Sequence, residues 1–418
     1  MLYSFKVAQF LSFETEQILE LRPHTEDGSK TESKFKAASA FIYGPNSAGK
    51  SNFLKAIIVS RYLVLGGAYK RSAQDYVRGL SAERTSSSKP SLFEYQFAIG
   101  SQEYRYGFKV KLQKTKVTFF KEHLHVKKDS EWSVIFDEQR SSEELNDPFG
   151  IDDSESLLFQ YAEYHEKKTV NELCRKIHAW FLQSFIVKTP NDTDCHYDVG
   201  PDFLNELQNG LVEFQTGITG IDYSEFIKKE IPENLTKKMI LGPGPHLVYI
   251  QGNERKRHWL LLRRTVNGVS EWGEIRFIHG SEQSVRIEEE SLGTLELIKY
   301  LAMFSKDSAK RRNIEKILVI DEIECSLHSF AVEHLVEIAK SKRNMQIIAT
   351  THEAYLLESS AVNRDEIWFI DRKIDSKKGS VLYPLNGFKK FNAEDIQERY
   401  FDGRFYSVPH FTTPSDEE

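Results

Sequence analysis

The chain has 418 residues, 40% of them hydrophobic and 28% charged, proportions of an ordinary folded protein that exclude a disordered or collagen-like chain. The length suits one large domain carrying an insertion, or two to three lobes. Its 56 basic and 62 acidic residues leave a net charge of −6, which argues against a uniformly nucleic-acid-coating protein and confines any such contact to a local basic patch.

The first predicted elements are two paired strands within LYSFKVAQFLSFETEQILEL, followed by a polar break from Arg22 to Lys36. The opening residues carry Lys6 where the apolar core of a signal peptide would run. Ala37 to Tyr43 reads as a short buried strand, running into a glycine loop and then a helix from about Ser51 to Leu65. The best apolar run, Ala56 to Ala68, is interrupted by Arg61 and too short to span a bilayer. Three cysteines, Cys174, Cys195 and Cys325, share no metal-ligand spacing and cannot all pair, so no disulfide framework is expected. These features predict a cytoplasmic protein.

Leu92 to Val126 predicts a β-meander that turns at Gly100 and Ser101, and Glu155 to Val187 predicts helices with Leu157, Leu158, Leu173, Ile177, Trp180 and Phe181 in the core. Asn191 to Pro245 mixes Gly, Pro and charge and yields no assignment. HLVYIQG, RHWLLLRRTVNG, WGEIRFIHG and SVRIEEE predict successive hairpin strands. Then come a helix (Thr294 to Phe304), a strand (Ile317 to Ile320), a helix (Phe330 to Lys340), a strand (Met345 to Thr350), a further helix and a strand (Glu366 to Ile370). That alternation predicts parallel α/β structure. No internal repeat of about 20 to 50 residues, no sustained heptad pattern and no low-complexity tract is present.

The glycine loop GPNSAGKS, Gly44 to Ser51, has the spacing G-x-x-x-x-G-K-[ST] between a buried strand and an amphipathic helix. A loop that wraps its backbone N–H groups around a phosphate needs close approach, which Gly44 and Gly49 allow. Lys50 would reach the β- and γ-phosphates and Ser51 would ligate Mg²⁺. The nucleotide-binding set is therefore Gly44, Pro45, Asn46, Ser47, Ala48, Gly49, Lys50, Ser51 and Asn52. The competing account is a glycine turn with an incidental lysine.

KILVIDEIECSLHSF runs four apolar residues straight into Asp321 and Glu322. A buried strand ending in two carboxylates suits an Asp321 that holds Mg²⁺ and a Glu322 that polarises the attacking water. The pair favours a hydrolysing ATPase over a kinase; an acidic strand-to-helix cap is the alternative. The next strand runs through QIIATTHEAYLL to His352, which a parallel sheet would direct toward the γ-phosphate.

In order, GPNSAGKS, EESLGTLELI, ILVIDEIECSLH and IIATTHEAYLL resemble the head domain of ABC-type ATPases of the RecF/SMC branch. Within that branch the chain is most similar to the RloA-like ATP-binding proteins found beside bacterial restriction and phage-defence genes. The resemblance covers residues 1 to 125 and 280 to 418, and the middle matches only loosely. It implies an α/β P-loop ATPase head with an N-terminal β subdomain and an inserted helical lobe. The corresponding domains are 1–126 (N-terminal ATPase lobe), 127–245 (inserted, largely helical) and 246–418 (C-terminal ATPase lobe). By the same resemblance Ser291 and Gly293, in Ser291-Leu292-Gly293-Thr294, take the place of the ABC signature, which contacts the γ-phosphate held by an opposite subunit. Ser291 also has a simpler reading as a helix N-cap. Ser326-Leu327-His328 would be the D-loop, His352 the switch histidine and Gln160 the Q-loop glutamine.

Residues Glu254 to Arg264, ERKRHWLLLRR, set Arg255, Lys256, Arg257, Arg263 and Arg264 beside Trp259. This is a candidate surface for DNA, RNA or an acidic partner, or else a solvated strand edge guarded by charge. About 240 residues without heptads separate the glycine loop from Ser291, which excludes the coiled-coil arm of SMC proteins. The stretch after His352 is short for the nuclease domain of OLD-type proteins, so any cutting activity is expected on another chain.

Together these features predict an ATPase using ATP and Mg²⁺. It would form homo-oligomers through ATP sandwiched between two heads and serve as the sensor or regulator of a phage-defence system with a separately encoded effector protein. The alternatives are a RecF-like DNA repair ATPase and a nonhydrolysing interaction module that uses ATP as glue.

Overall fold

The computed structural model describes residues 1–22, 38–67, 89–112, 117–139, 154–190, 194–225, 245–251, 258–266, 269–280, 284–305, 315–372, 379–388 and 396–405. The chain divides into two compact units. The first joins Met1–Lys188, Glu315–Ile323 and Lys340–Glu418; the second joins Thr189–Ile314 and Glu324–Ala339.

The first unit contains two six-stranded sheets. One is antiparallel, in the order β2-β1-β4-β5-β6-β7, built from β1 (Leu2–Ala8), β2 (Gln17–Glu20), β4 (Ser91–Ile99), β5 (Gln102–Leu112), β6 (Val117–Lys128) and β7 (Glu131–Gln139). Its strands alternate buried and partly exposed residues, as in β4, the pattern of a sheet with one face on the core. The other runs β18-β17-β3-β16-β15-β8: β3 (Ala40–Tyr43), β8 (Phe185–Lys188), β15 (Lys316–Ile320), β16 (Met345–Thr350), β17 (Ile367–Asp371) and β18 (Val381–Pro384). All neighbours in it pair in parallel except β17 with β18. Every residue of β3, β15 and β16 is buried, as expected of parallel strands covered on both faces.

Helices α1 (Lys50–Leu65), α2 (Leu157–Glu163) and α3 (Lys168–Ser184) pack against these sheets in one continuous core. Helix α1 is buried almost all round, which marks a helix enclosed by the core. Its Phe53 meets Phe5 edge-on at 5.7 Å, while Trp180 of α3 stacks on Phe97 at 4.2 Å. Two buried charges serve helix ends here. The Glu122 carboxylate accepts from the N–H groups of Leu157 (2.8 Å) and Leu158 (2.9 Å) at the start of α2. The Arg61 guanidinium donates to the carbonyls of Phe181 (2.8 Å) and Leu182 (3.0 Å) near the end of α3. Each charge opposes the partial charge of its helix terminus.

The second unit holds a sheet ordered β10-β13-β12-β11-β9, with β14 on β13. Its strands are β9 (Asp194–Asp198), β10 (Ile218–Glu225), β11 (His246–Gln251), β12 (His258–Val266), β13 (Val269–His279) and β14 (Ser284–Val285). With it are α4 (Phe203–Glu213), α5 (Leu292–Phe304) and most of α6 (Ser329–Ser341). A short helix, α7 (Ile396–Phe401), lies in the first unit.

Several expectations are corrected. The helical lobe over 127–245 is not one body: β7, α2 and α3 belong to the first unit, and β9, α4 and β10 to the second. The apolar stripe of α3 (Cys174, Ile177, Trp180, Phe181) lies in the same core as the aromatic face of β4. Residues 185–188 form an edge strand beside β15 rather than the end of a helix, because long-range pairing overrides the local apolar pattern. The helix expected after β16 is reduced to 3₁₀ turns at Ala354–Leu357 and Arg364–Glu366. Between them Ser359 Oγ accepts from Ala361 N–H at 3.0 Å, and such side-chain bonds compete with helix. None of the three cysteines forms a disulfide. No helix among the described residues is long and apolar enough to cross a membrane.

Candidate functional site

Five parallel strands place their C-terminal ends along one edge of the sheet, the edge at which open α/β sheets bind ligands. The glycine loop leaves β3 at this edge. At Gly44 (φ 154°) a Cβ would collide with the Ile370 carbonyl oxygen at the end of β17. At Gly49 (φ 118°) a Cβ would lie 2.5 Å from Ser380 Oγ and 2.7 Å from Ser12 Oγ. Both positions therefore exclude any side chain, for space and for backbone conformation.

Lys50, buried at the first position of α1, donates to the carbonyls of Gly44 (2.7 Å) and Pro45 (3.1 Å), so its ammonium is tied back onto the loop. Asn46 and Ser47 at the loop tip are exposed, Pro45 is half-buried and Ala48 is buried. Ser51 Oγ donates to Asp321 Oδ1 at 3.1 Å. The two side chains expected to share a metal are thus in contact although 270 residues apart.

Asp321, Glu322 and Ile323 form a turn held from both neighbouring strands. Asp321 N–H donates to Lys188 O of β8 (2.9 Å), Glu322 N–H to Thr350 Oγ1 of β16 (2.8 Å) and Ile323 N–H to Thr350 O (3.1 Å). Glu322 takes a left-handed conformation, φ 53°, unusual for a residue with a long side chain. Glu322 is half-buried. His352 stands exposed two residues beyond β16, after a Thr351 whose N–H donates to Ile42 O of β3 at 3.1 Å.

Gln160 is not brought to this edge. Its Nε2 donates to Glu155 O just before α2, and the neighbours Ser156 and Phe159 meet Val64 and Gly66 at the C-terminal end of α1. The glycine loop is at the other end of that 16-residue helix, about 24 Å away at 1.5 Å per residue.

In the second unit Ser291 caps α5, its Oγ accepting from Thr294 N–H at 3.0 Å. Ser291 and Leu292 are exposed, Gly293 is half-buried and Thr294 is buried. A Cβ at Gly293 would lie 2.9 Å from Ser326 O, so this turn packs on the segment Ser326-Leu327-His328, in which Ser326 and His328 are exposed. Arg255, Lys256 and Arg257 lie outside the described residues. Arg263 sits in β12 opposite Trp272, and Arg264 pairs in register with Glu271.

Four residues at the sheet edge escaped the sequence reading. Ser12 and Ser380 brace the loop from below: Ser380 N–H donates to Ser12 O (2.7 Å), its hydroxyl donates to Ala48 O, and Asn52 Nδ2 donates to Ser12 Oγ (3.0 Å). Lys188 and Thr350 fix the acidic turn. Thr350 alone left a signal, a hydroxyl closing an apolar strand just before His352.

An α/β sheet presenting a glycine loop and an acidic turn along one edge is the framework of a nucleotide-binding domain. The family described as "AAA domain, putative AbiEii toxin, Type IV TA system" matches residues 39–358, and the chain belongs to that family. It is also similar to the Old nuclease of Escherichia phage P2, with 30% identity over 116 residues, which is 26% of this chain. That stretch spans 18% of the relative's own length.

Proposed function

We propose that this chain is an ATPase that binds ATP with Mg²⁺ at the C-terminal edge of its parallel sheet and hydrolyses it. The observation that carries this reading is the contact of Ser51 Oγ with Asp321 Oδ1 at 3.1 Å, beside a loop in which neither Gly44 nor Gly49 can carry a side chain. A hydroxyl beside a carboxylate is a donor set for a hard cation, and the bare backbone of the loop admits phosphate oxygens. The residues present therefore fit the nucleotide and the metal.

In this reading the loop N–H groups at the start of α1 bind phosphate, Lys50 supplies a compensating cation, and Ser51 and Asp321 hold Mg²⁺. The metal, when bound, would supply positive charge that offsets the charge of the phosphates. Glu322 accepts a proton from the attacking water, and His352 contacts the terminal phosphate. Gln160 is left out of the site.

The proposal extends to assembly. The exposed Ser291 turn of one copy would face the nucleotide of a second, so that ATP binding favours association and hydrolysis favours release. The family description names a toxin of a toxin–antitoxin system and the relative is a phage nuclease; both support a role in conflict between phage and host, which we read as that of a cytoplasmic sensor or regulator acting on a separately encoded effector. Steady-state phosphate release tests the chemistry, with Lys50→Ala and Glu322→Gln as controls. Light scattering of Glu322→Gln with ATP and Mg²⁺ tests the assembly, and a variant that stays monomeric counts against it. Co-purification with mass spectrometry tests for the effector.

A further inference from the structure

Thr350 is fully buried at the last position of β16, between the strand that feeds the glycine loop and the strand that runs into Asp321. Its hydroxyl makes two bonds to consecutive residues of the acidic turn, donating to Asp321 Oδ1 at 2.6 Å and accepting from Glu322 N–H at 2.8 Å. An ionised carboxylate only accepts and an amide N–H only donates, so the direction of both bonds is fixed. Asp321 Oδ1 also accepts from Ser51 Oγ at 3.1 Å. Two hydroxyls thus occupy one carboxylate oxygen and set the plane of the other.

From this geometry we infer that Thr350 is a positioning residue for the metal carboxylate and the catalytic carboxylate together. One hydroxyl aims Asp321 through its side chain and holds Glu322 through its backbone, in the left-handed conformation (φ 53°) that a Glu rarely adopts unaided. Valine fills the same volume without the hydroxyl, leaving the Glu322 N–H without its side-chain acceptor and Asp321 Oδ1 held by Ser51 alone. Serine keeps both bonds.

The inference rests on the ATPase reading above, and its test separates the two. Metal affinity is read by electron paramagnetic resonance of Mn²⁺ bound together with a nonhydrolysable ATP analogue, and turnover by phosphate release. For Thr350→Val the expected result is roughly fivefold weaker Mn²⁺ binding and a kcat lower by roughly tenfold or more. Metal-free nucleotide binding should stay within about twofold, and Thr350→Ser should return Mn²⁺ binding and turnover to within about threefold of wild type. If thermal melting shows that Thr350→Val does not fold, Thr350→Ala takes its place against Thr350→Ser. Wild-type Mn²⁺ binding and turnover in the hydroxyl-free variant overturn the inference, as does a serine variant as impaired as it. A wild-type protein that releases no phosphate overturns the ATPase reading instead, and the Mn²⁺ measurement still decides the role of Thr350.

Discussion

The two sheets of the first unit differ in residue pattern and do different work. In the antiparallel sheet, burial alternates along β4 and β6, so the core receives one face and the other carries charge, including Lys6, Glu94, His123 and Lys127. In the parallel sheet β3, β15 and β16 are buried at every position, Lys316 and Gln346 included, and the polar groups of the candidate site gather at or just past the strand ends. A sheet covered on both faces can offer functional groups only at its ends, held by a backbone with little freedom. Gly44, Asp321, Glu322 and Thr350 all sit at or just past such ends. The antiparallel sheet instead supplies aromatic packing surface for α1 and α3.

The sharpest way to break this contrast is at the strand ends. Glu322→Gln is expected to lower kcat by roughly a hundredfold or more while ATP remains bound; unchanged turnover would move the chemistry away from β15. Next in size are the buried strands themselves. Ile348→Ala in β16 should cost ~2–5 kcal/mol in chemical denaturation, whereas Val134→Ala on β7, 61% exposed, should change stability by less than ~0.5 kcal/mol. Equal effects would mean that the two sheets share one burial pattern. Glu122→Ala leaves two buried N–H groups of α2 without an acceptor and should cost ~2–4 kcal/mol without weakening nucleotide binding, since α2 lies at the far end of α1.

The smallest effect concerns the charged face. Burial, reinforced by neighbouring His123, holds the His125 imidazole below its ordinary value of 6.5. The unfolded chain then takes up the proton first, so this group lowers stability as pH falls below 6.5 and contributes nothing above it. Denaturation curves between pH 7 and pH 5 should show a shallower decline for His125→Gln than for wild type, and identical slopes would contradict the assignment.

The sequence disclosed the parts of this arrangement whose signals are local. GPNSAGKS between a buried strand and a helix, the run ending in Asp321 and Glu322, and the strand Met345 to Thr350 were all legible from period and spacing. What escaped depends on pairing between distant segments. Phe185–Lys188 reads as the end of a helix until β15 offers it an edge. Ser12 and Ser380 meet beneath the loop only because the turn after β1 and the start of β18 converge there. Gln160 was misplaced for the same reason, since nothing in its own sequence tells which end of α1 its helix meets.

The central claim is that the glycine loop and the acidic turn form one magnesium–nucleotide site, and calorimetric titration of ATP with Mg²⁺ into wild type and Lys50→Ala tests it directly. The account predicts one binding event per chain in wild type, lost or weakened by roughly a hundredfold in the variant and weakened in wild type when Mg²⁺ is withheld. Equal affinity in the two proteins, or binding indifferent to the metal, would contradict it.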